Sequence, residues 1–445
     1  FAESHRWGTF PSLAVGWRIN NEKFMKSAEF INNLKLRFSW GVVGNQAIGG
    51  YAYGVTMASS ATPSGQGFFP GNFSNPDLKW ERTNEYNIGL DLSLFKNRVE
   101  LIAEVYQKDI DNLLMQASLP SYVAGVINSP WVNAGAMTNK GIELTLNTVN
   151  ISSKDFTWRT GLTFSKNKNK VTELYTESSA LVGSQGGLAY TYTTVGNPVG
   201  QLYGYKVIGM FKDETDFYKK DKYGNNILNE NGERIPVALP KDVQQGVNGV
   251  WVGDFMYQDK NGDGIIDEED RFYIGNPEPK FTYGITNDIR YKDFDFSIFL
   301  SGVYGNKIYN MLREKYTNPM SNSGLLKEAT RIARIGLKDP DGSATDINNV
   351  YITNSDASVQ RIHTTDANNN NRISDRFVEN GSYLRIKNIS LGYTFPKELI
   401  SKFRIESLRG YVNAQNPFTF TNYKGYDPEV GSYDVLVRNI DNARY

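Results

Sequence analysis

The segment Glu85–Leu94 constrains the fold more than any other part of this sequence. It consists of two interleaved sets, apolar Tyr86, Ile88, Leu90, Leu92 and Leu94 and polar or small Glu85, Asn87, Gly89, Asp91 and Ser93. A period of two residues places the two sets on opposite faces of a β-strand. The segment has about the 9–11 residues with which a strand crosses a bilayer. We therefore expect a strand with one apolar and one polar face.

The same alternation recurs along the chain. Its apolar positions include Leu36, Phe38, Trp40 and Val42; Phe156, Trp158, Leu162 and Phe164; Phe281, Tyr283, Ile285 and Ile289; and Ile389, Leu391, Tyr393 and Phe395. Aromatic residues near the ends of these runs are typical of the girdles of a membrane β-barrel. A soluble antiparallel sheet with one buried face shows the same alternation, so the pattern leaves both open. If the sheet is a barrel, Leu90, Leu92, Phe164 and Leu391 face lipid, and Asp91 and Arg159 face the lumen.

Composition narrows the classes of function. No apolar run is long enough for a transmembrane helix, so strands are the elements that can cross a membrane. Lys plus Arg and Asp plus Glu both total 48, which gives no basic field for binding nucleic acid. Cysteine is absent, and disulfides and thiolate metal sites are thereby excluded from this sequence.

The connections between the runs are of very unequal length. Lys96-Asn97 is enough to join Glu85–Phe95 to Arg98–Tyr106 as a tight hairpin. The segments 207–280 and 310–380 are instead long and polar, with a short helix expected over Leu325–Ile335 and an Asn-rich loop over Asp366–Arg372. Bacterial outer-membrane barrels have short turns at one end and long extracellular loops at the other. We expect segments 207–280 and 310–380 to be such loops.

Several short motifs carry a family resemblance. They are Arg6-Trp7-Gly8 to Pro11-Ser12, Asn75-Pro76-Asp77-Leu78-Lys79-Trp80-Glu81, Asn139-Lys140-Gly141-Ile142-Glu143, Gly204-Tyr205-Lys206, Tyr383-Leu384-Arg385-Ile386-Lys387-Asn388, and Asn413 to Pro417 followed by Tyr426-Asp427-Pro428-Glu429. Together they resemble the SusC/RagA family of TonB-dependent transporters. The resemblance implies an all-β fold, an antiparallel transmembrane barrel of about 22 strands with a plug. It also implies import of oligosaccharides or peptides across the outer membrane of a Gram-negative bacterium, energised by the TonB complex, with a SusD-like surface lipoprotein as lid.

The sequence also departs from that family. Nothing in residues 1–445 resembles the plug domain, the TonB-contacting segment or the N-terminal domain. At roughly 20–30 residues per strand and connection, the chain is expected to supply some two-thirds of a 22-stranded barrel. We therefore expect one domain, residues 1–445, that forms the major C-terminal part of the barrel and contacts TonB only through a part not included here.

One acidic segment matches a calcium-binding loop. In Asp259 to Asp270, oxygen ligands occupy the first, third, fifth, seventh, ninth and twelfth places: Asp259, Asn261, Asp263, the backbone carbonyl of Ile265, Asp267 and Asp270. Gly264 occupies the sharp turn, whereas Asp270 replaces the usual glutamate. The sequence predicts a structural Ca²⁺ here, and the alternative is an acidic turn that is only solvated.

Other candidate sites are weak. His5 and His363 are far apart in the sequence and belong to no zinc or catalytic motif. The aromatic residues Trp131, Tyr190, Tyr192 and Trp251 could stack on sugars or peptides, although loop packing is the commoner role. Because no acid–base pair stands out, we expect no enzyme. The alternative to a transporter is a calcium-stiffened adhesin or another non-catalytic β protein.

Overall fold

The computed structural model describes residues 1–117, 127–175, 180–432 and 434–441. Its main feature is one ten-stranded antiparallel sheet in which each strand pairs with the next. The strands are β1 (Ser12–Arg18), β2 (Ile31–Asn45), β3 (Glu81–Leu94), β4 (Val99–Asp111), β5 (Ala136–Ser152), β6 (Phe156–Glu173), β7 (Phe281–Tyr291), β8 (Phe294–Tyr304), β9 (Tyr383–Thr394) and β10 (Arg409–Thr421). The all-β antiparallel fold predicted from the alternation is confirmed.

Strand order separates the connections into two groups. Those from odd to even strands are residues 19–30, 95–98, 153–155, 292–293 and 395–408, and they all lie at one end of the sheet. Those from even to odd strands are residues 46–80, 112–135, 174–280 and 305–382, and their described residues lie at the other end. We call these the turn end and the loop end. The expected asymmetry of short turns and long loops is thus present.

Apolar side chains line up across the sheet in register. Leu36 is opposite Leu90, Leu90 is opposite Ala103, and Ala103 is in turn opposite Leu144. Leu144 is opposite Phe164, which continues the same face into the next hairpins. Because directly opposed residues of antiparallel strands share a face, these side chains form one apolar surface. Large apolar side chains on it, among them Ile88, Phe38 and Leu391, are exposed, as a lipid-facing surface requires.

The opposite face is polar and carries ion pairs. Arg37 donates from Nε to Asp91 Oδ2 over 2.9 Å and from Nη2 to Glu104 Oε1 over 2.7 Å. Gly89 lies between them, and a Cβ there would approach the Arg37 guanidinium carbon to 2.8 Å. Arg159 on β6 also belongs to this face, which borders a concave volume of about 540 Å³ near the turn end. The predicted division of residues between the two faces is confirmed.

The remaining elements are short, and most of them lie at the loop end. The strands pair as Met57–Thr62 with Gly65–Pro70, Leu114–Gln116 with Trp131–Asn133, Val207–Met210 with Phe255–Tyr257, Leu239–Pro240 with Ile265–Ile266 and Ile335–Leu337 with Val350–Ile352. Two larger groups join Leu181–Gln185, Leu188–Thr193, Leu202–Gly204 and Phe272–Gly275, and Val378–Asn380, Lys307–Asn310 and Ile440–Asp441. Helix α1 spans Met311–Thr317 and α2 spans Lys397–Ile400. The 3₁₀ helices are Glu3–His5, Ile19–Asn21, Lys23–Met25, Glu214–Phe217, Glu268–Asp270, Lys327–Arg331, Asp375–Phe377, Ser401–Phe403 and Val435–Val437.

The expected helix over Leu325–Ile335 is wrong in extent. A 3₁₀ helix covers Lys327–Arg331 and a strand begins at Ile335. The α-helix of this connection is α1, which was not predicted. Ala329 and Ala333 are buried, and Ala333 donates its N–H to the Val359 carbonyl over 2.9 Å, so contacts with other segments also hold this stretch in place.

The described sheet has fewer strands than the two-thirds of a 22-stranded barrel estimated from length. The reason is that the two connections 174–280 and 305–382 are much longer than the length assumed per strand, and none of their described strands belongs to that sheet. Among the described residues, no helix is both long and apolar enough to span a membrane.

Candidate functional site

The long connections at the loop end pack on each other instead of extending separately into solvent. One apolar cluster combines Tyr190 and Leu202 with Tyr309 and Phe377, and also includes Val437. A second cluster packs Phe211 and Trp251 against Val350. The described residues 180–280, 305–382, 422–432 and 434–441 therefore form one folded unit, which we call the cap.

A motif noted in the sequence joins two of these connections. Tyr205 donates its backbone N–H to the Ile373 carbonyl over 2.8 Å, and Asp375 donates to the Tyr205 carbonyl over 3.0 Å. Gly204 is required at this approach, since a Cβ on it would lie 2.5 Å from the Ile373 oxygen. The Gly204-Tyr205-Lys206 motif thus links the two longest connections through backbone hydrogen bonds.

A second pair of motifs meets where the cap adjoins β9. Arg385 donates from Nη2 to Asp427 over 2.5 Å and from Nη1 to Glu429 over 2.7 Å. Lys387 reaches the same Glu429 carboxylate over 2.6 Å. The sequence motifs around residues 383–388 and 426–429 are therefore ion-pair partners that hold the chain after β10 against the sheet.

A buried ionic network lies deeper in the cap. The Arg361 and Asp254 side chains are only 5% and 2% exposed, and the guanidinium donates to the carboxylate at 3.0 and 3.1 Å. Asn370 donates to the same carboxylate at 3.0 Å. Burial raises the pKa of Asp254, and these donors work against that rise. Sequence reasoning treated Asp366–Arg372 as a plain Asn-rich loop and missed this network, because burial depends on distant partners.

Beside this network the cap contains a polar cavity of about 620 Å³. Its lining includes Tyr205, Arg271, Arg372, Asn371 and the buried Glu314. A neighbouring cavity of about 350 Å³ shares Glu314 and Asn371 with it. The two volumes together form a recess in the cap with several polar side chains in its lining.

Several polar groups of this recess lack protein partners. Arg271 Nε is a buried donor and Asn371 Oδ1 a buried acceptor, and neither has a hydrogen-bond partner in the described chain. A buried polar atom without a partner costs about 1–3 kcal/mol unless water or a ligand satisfies it. Water or a ligand that satisfies both atoms must supply an acceptor for Arg271 Nε and a donor for Asn371 Oδ1.

Among the groups that line the recess, the carboxyl group of Glu314 has a pKa close to neutral pH. Burial raises the pKa of Glu314 to about 7, and the nearby tyrosine hydroxyls lower it only in part. One of these hydroxyls, that of Tyr190, donates to Glu314 Oε2 over 3.3 Å. Near neutral pH the group therefore changes between a hydrogen-bond donor and a negatively charged acceptor.

The predicted calcium loop is closed by its own backbone. Asp259 accepts from the N–H groups of Gly262 and Gly264, and Asp263 accepts from Ile265. The buried Asp270 accepts from Lys260 and from Asp267, and Asn261 donates to Asp263. No three acidic or histidine side chains in the described residues come together as a cation site. The structure holds no ion that would test the six predicted ligands, and calcium stays a prediction of the sequence pattern.

The remaining sequence candidates lie apart from the recess or are buried beside it. Tyr190 and Trp251 are buried in the cap clusters, so both pack rather than offering a free face. Tyr192 stacks on Tyr203 with ring centroids 4.8 Å apart, and Trp131 lies in a short strand paired with Leu114–Gln116. His363 Nδ1 is hydrogen-bonded to the backbone N–H and the hydroxyl of Thr365, and it has no acidic or nucleophilic partner among the described residues.

Comparisons with known proteins agree with this architecture. The family model described as TonB dependent receptor-like, beta-barrel, matches residues 1–416. TonB-dependent receptor P3 of Formosa agariphila is 32% identical over all of this chain and 40% of its own length. TonB-dependent receptor SusC of Bacteroides thetaiotaomicron is 30% identical over 97% of this chain and 39% of its own length. The chain thus spans about 40% of the length of these relatives.

A solved structure of the RagAB peptide transporter has a similar fold. It superposes with a TM-score of 0.73 at 21% identity, covering 96% of this chain and 42% of that one. At this identity the likeness bears on the fold alone.

Proposed function

This chain belongs to the family of TonB-dependent receptor-like β-barrels, and we propose that the complete protein is an active importer in the outer membrane of a Gram-negative bacterium. The observation that carries the proposal is the cap, a folded unit with a polar recess at one end of a sheet whose outer face is apolar. We propose that the apolar face contacts lipid and that the loop end lies outside the cell.

We propose oligosaccharides or peptides as the imported class. Both are chains of hydroxyl or amide groups that donate and accept hydrogen bonds, as the unpartnered groups of Arg271 and Asn371 require. A SusD-like lipoprotein would cover the cap from outside, and the TonB complex would supply energy through a part of the protein beyond these residues. In this proposal the protein carries out no catalysis.

Uptake in cells that produce the complete transporter tests the proposal. Fluorescent oligosaccharides and oligopeptides of matched length are supplied to cells with and without TonB, and co-purification with a surface lipoprotein is measured in parallel. We expect import of one class that disappears without TonB, together with a retained lipoprotein. Binding at the cell surface without import would instead support the adhesin, and uptake independent of TonB would contradict the proposal.

Glu314→Gln tests the recess within the same assay. The wild-type carboxyl group ionises as pH rises through about 7, so uptake by the wild type should change between pH 6 and 8. The variant stays neutral, and its uptake should be lower at one end of that range and independent of pH. Glu230→Gln, a change in an exposed part of the cap, is the matched control and should behave as the wild type.

A further inference from the structure

The turns at the turn end form one continuous rim. Phe95 donates its N–H to the Phe30 carbonyl over 2.8 Å, and Lys292 donates to the Asp155 carbonyl over 2.7 Å. Thr394 donates to Asp293 over 2.9 Å, and Arg98 Nη2 reaches the Asn150 carbonyl over 2.6 Å. The first two bonds join neighbouring connections directly, whereas Arg98 and Asp293 bond to residues near the ends of β5 and β9. All five connections lie at the turn end of the sheet.

Every one of these connections carries exposed basic side chains. Apart from Arg98, whose guanidinium donates to the Val149 and Asn150 carbonyls, they are Lys23, Lys26, Lys96, Lys154, Lys292, Lys397, Lys402 and Arg404. None of these eight side chains has an ion-pair partner in the part of the chain that the structure describes, whereas the ion pairs found there involve other cations. The acidic side chains of the same connections are fewer: Glu22, Glu29, Asp155, Asp293, Glu398 and Glu406. The rim therefore has a net positive charge.

Three of these cations occupy backbone positions that disfavour them. Lys96, Lys292 and Arg404 have φ of 57°, 51° and 59°, which is the left-handed region. Glycine and asparagine adopt that region at lower cost, and they are the usual residues in tight hairpin turns and after helices. Local turn stability therefore does not explain the choice of a cation at these three places.

Exposed aromatic rings accompany the cations. Phe24, Phe95 and Phe403 are 66%, 54% and 75% exposed, and Phe95 stacks on Phe30 with centroids 6.0 Å apart. Aromatic rings at this level are typical of the boundary between hydrocarbon and headgroups. Cations directly beyond such rings lie where lipid phosphates lie, and long side chains such as lysine reach that level easily.

We propose that this rim binds the headgroups of anionic glycerophospholipids. We call its eight unpaired cations the basic collar: Lys23, Lys26, Lys96, Lys154, Lys292, Lys397, Lys402 and Arg404. The proposal goes beyond import, although it rests on the proposed crossing of a membrane by the sheet. Charge complementarity identifies the lipid class, because a rim with net positive charge attracts a lipid with net negative charge more strongly than a zwitterionic lipid.

The test replaces the three strained cations by residues that the turns prefer, as Lys96→Asn, Lys292→Asn and Arg404→Gly together. The complete transporter is placed in nanodiscs that contain equal amounts of phosphatidylglycerol and phosphatidylcholine. Native mass spectrometry then measures the phosphatidylglycerol retained by the protein. The matched control removes three exposed cations of the cap, as Lys212→Gln, Lys222→Gln and Lys241→Gln.

We expect the wild type and the control to retain phosphatidylglycerol in excess over phosphatidylcholine. In the collar variant the affinity for phosphatidylglycerol should fall by about fivefold for each removed cation, or roughly a hundredfold in all. Its melting temperature in pure phosphatidylcholine should not fall below that of the wild type, since the turns become easier to form. Equal retention by the collar variant and the wild type would overturn the proposal, as would an equal loss in the control. Uptake measured on the same samples reports separately on the proposed function.

Discussion

Replacing Arg361 by methionine should open the cap locally while leaving the barrel sheet folded. Arg361 holds Asp254 through two hydrogen bonds and also donates to the Val247 and Gly249 carbonyls at 3.0 and 2.9 Å. Methionine fills much of the same volume but supplies none of these donors. Both partners of the pair are buried, so the carboxylate would be left without its counter-charge.

Breaking a buried ion pair at one partner costs about 3–5 kcal/mol. Since about 1.4 kcal/mol corresponds to a tenfold change, local opening of the cap should become some hundredfold to several thousandfold more frequent. Loss of Arg361 also removes a group that lowers the pKa of Asp254, so that pKa rises further. A group whose pKa is raised in the folded state stabilises that state at low pH, where the group is protonated, and this stabilisation disappears as pH rises through the folded-state pKa. The loss of stability in the variant should therefore be larger at pH 8 than at pH 5.

Hydrogen exchange of the complete transporter measures this opening. The Trp251 N–H donates to Asp254 and the Phe255 N–H donates to Asn370, so both amides report on the network. Arg361→Met should accelerate their exchange by at least a hundredfold, and Arg361→Met combined with Asp254→Asn should restore part of the protection. Lys220→Met breaks the more exposed pair with Asp216 and should cost about 0–1 kcal/mol. Acceleration below tenfold, or an equal effect of Lys220→Met, would refute the reasoning.

Two further predictions concern the sheet and the acidic loop. Leu90→Arg places a charge on the apolar face and should lower the free energy of unfolding in lipid by about 2–4 kcal/mol if the residue lies near the midplane, whereas Asp91→Asn on the polar face should cost less. Chemical denaturation in vesicles compares the two, and equal costs would argue against a lipid-facing surface. If Asp259, Asn261, Asp263, Asp267 and Asp270 bind calcium, terbium luminescence should titrate on the wild type and be lost in Asp263→Ala, with the barrel still folded; identical titrations would leave the loop as a solvated turn.

The sequence alone determined the sheet and its two faces. Alternation with a period of two is a property of neighbouring residues, so the apolar set around Leu90 and the polar set around Asp91 were assigned without any tertiary information. The hairpin at Lys96-Asn97 was also predictable from local sequence, because two strands joined by so short a connection can pair only as an antiparallel hairpin.

Only the tertiary structure decided the cap. Asp254, Arg361 and Asn370 are far apart in sequence, and no periodic pattern connects them, yet they share one buried network. The acidic loop is a second example. Its spacing matches a calcium site, but only the tertiary structure shows that its carboxylates accept hydrogen bonds from backbone N–H groups. Local patterns determine which residues share a face, whereas burial and the partners of polar groups depend on which distant segments pack together.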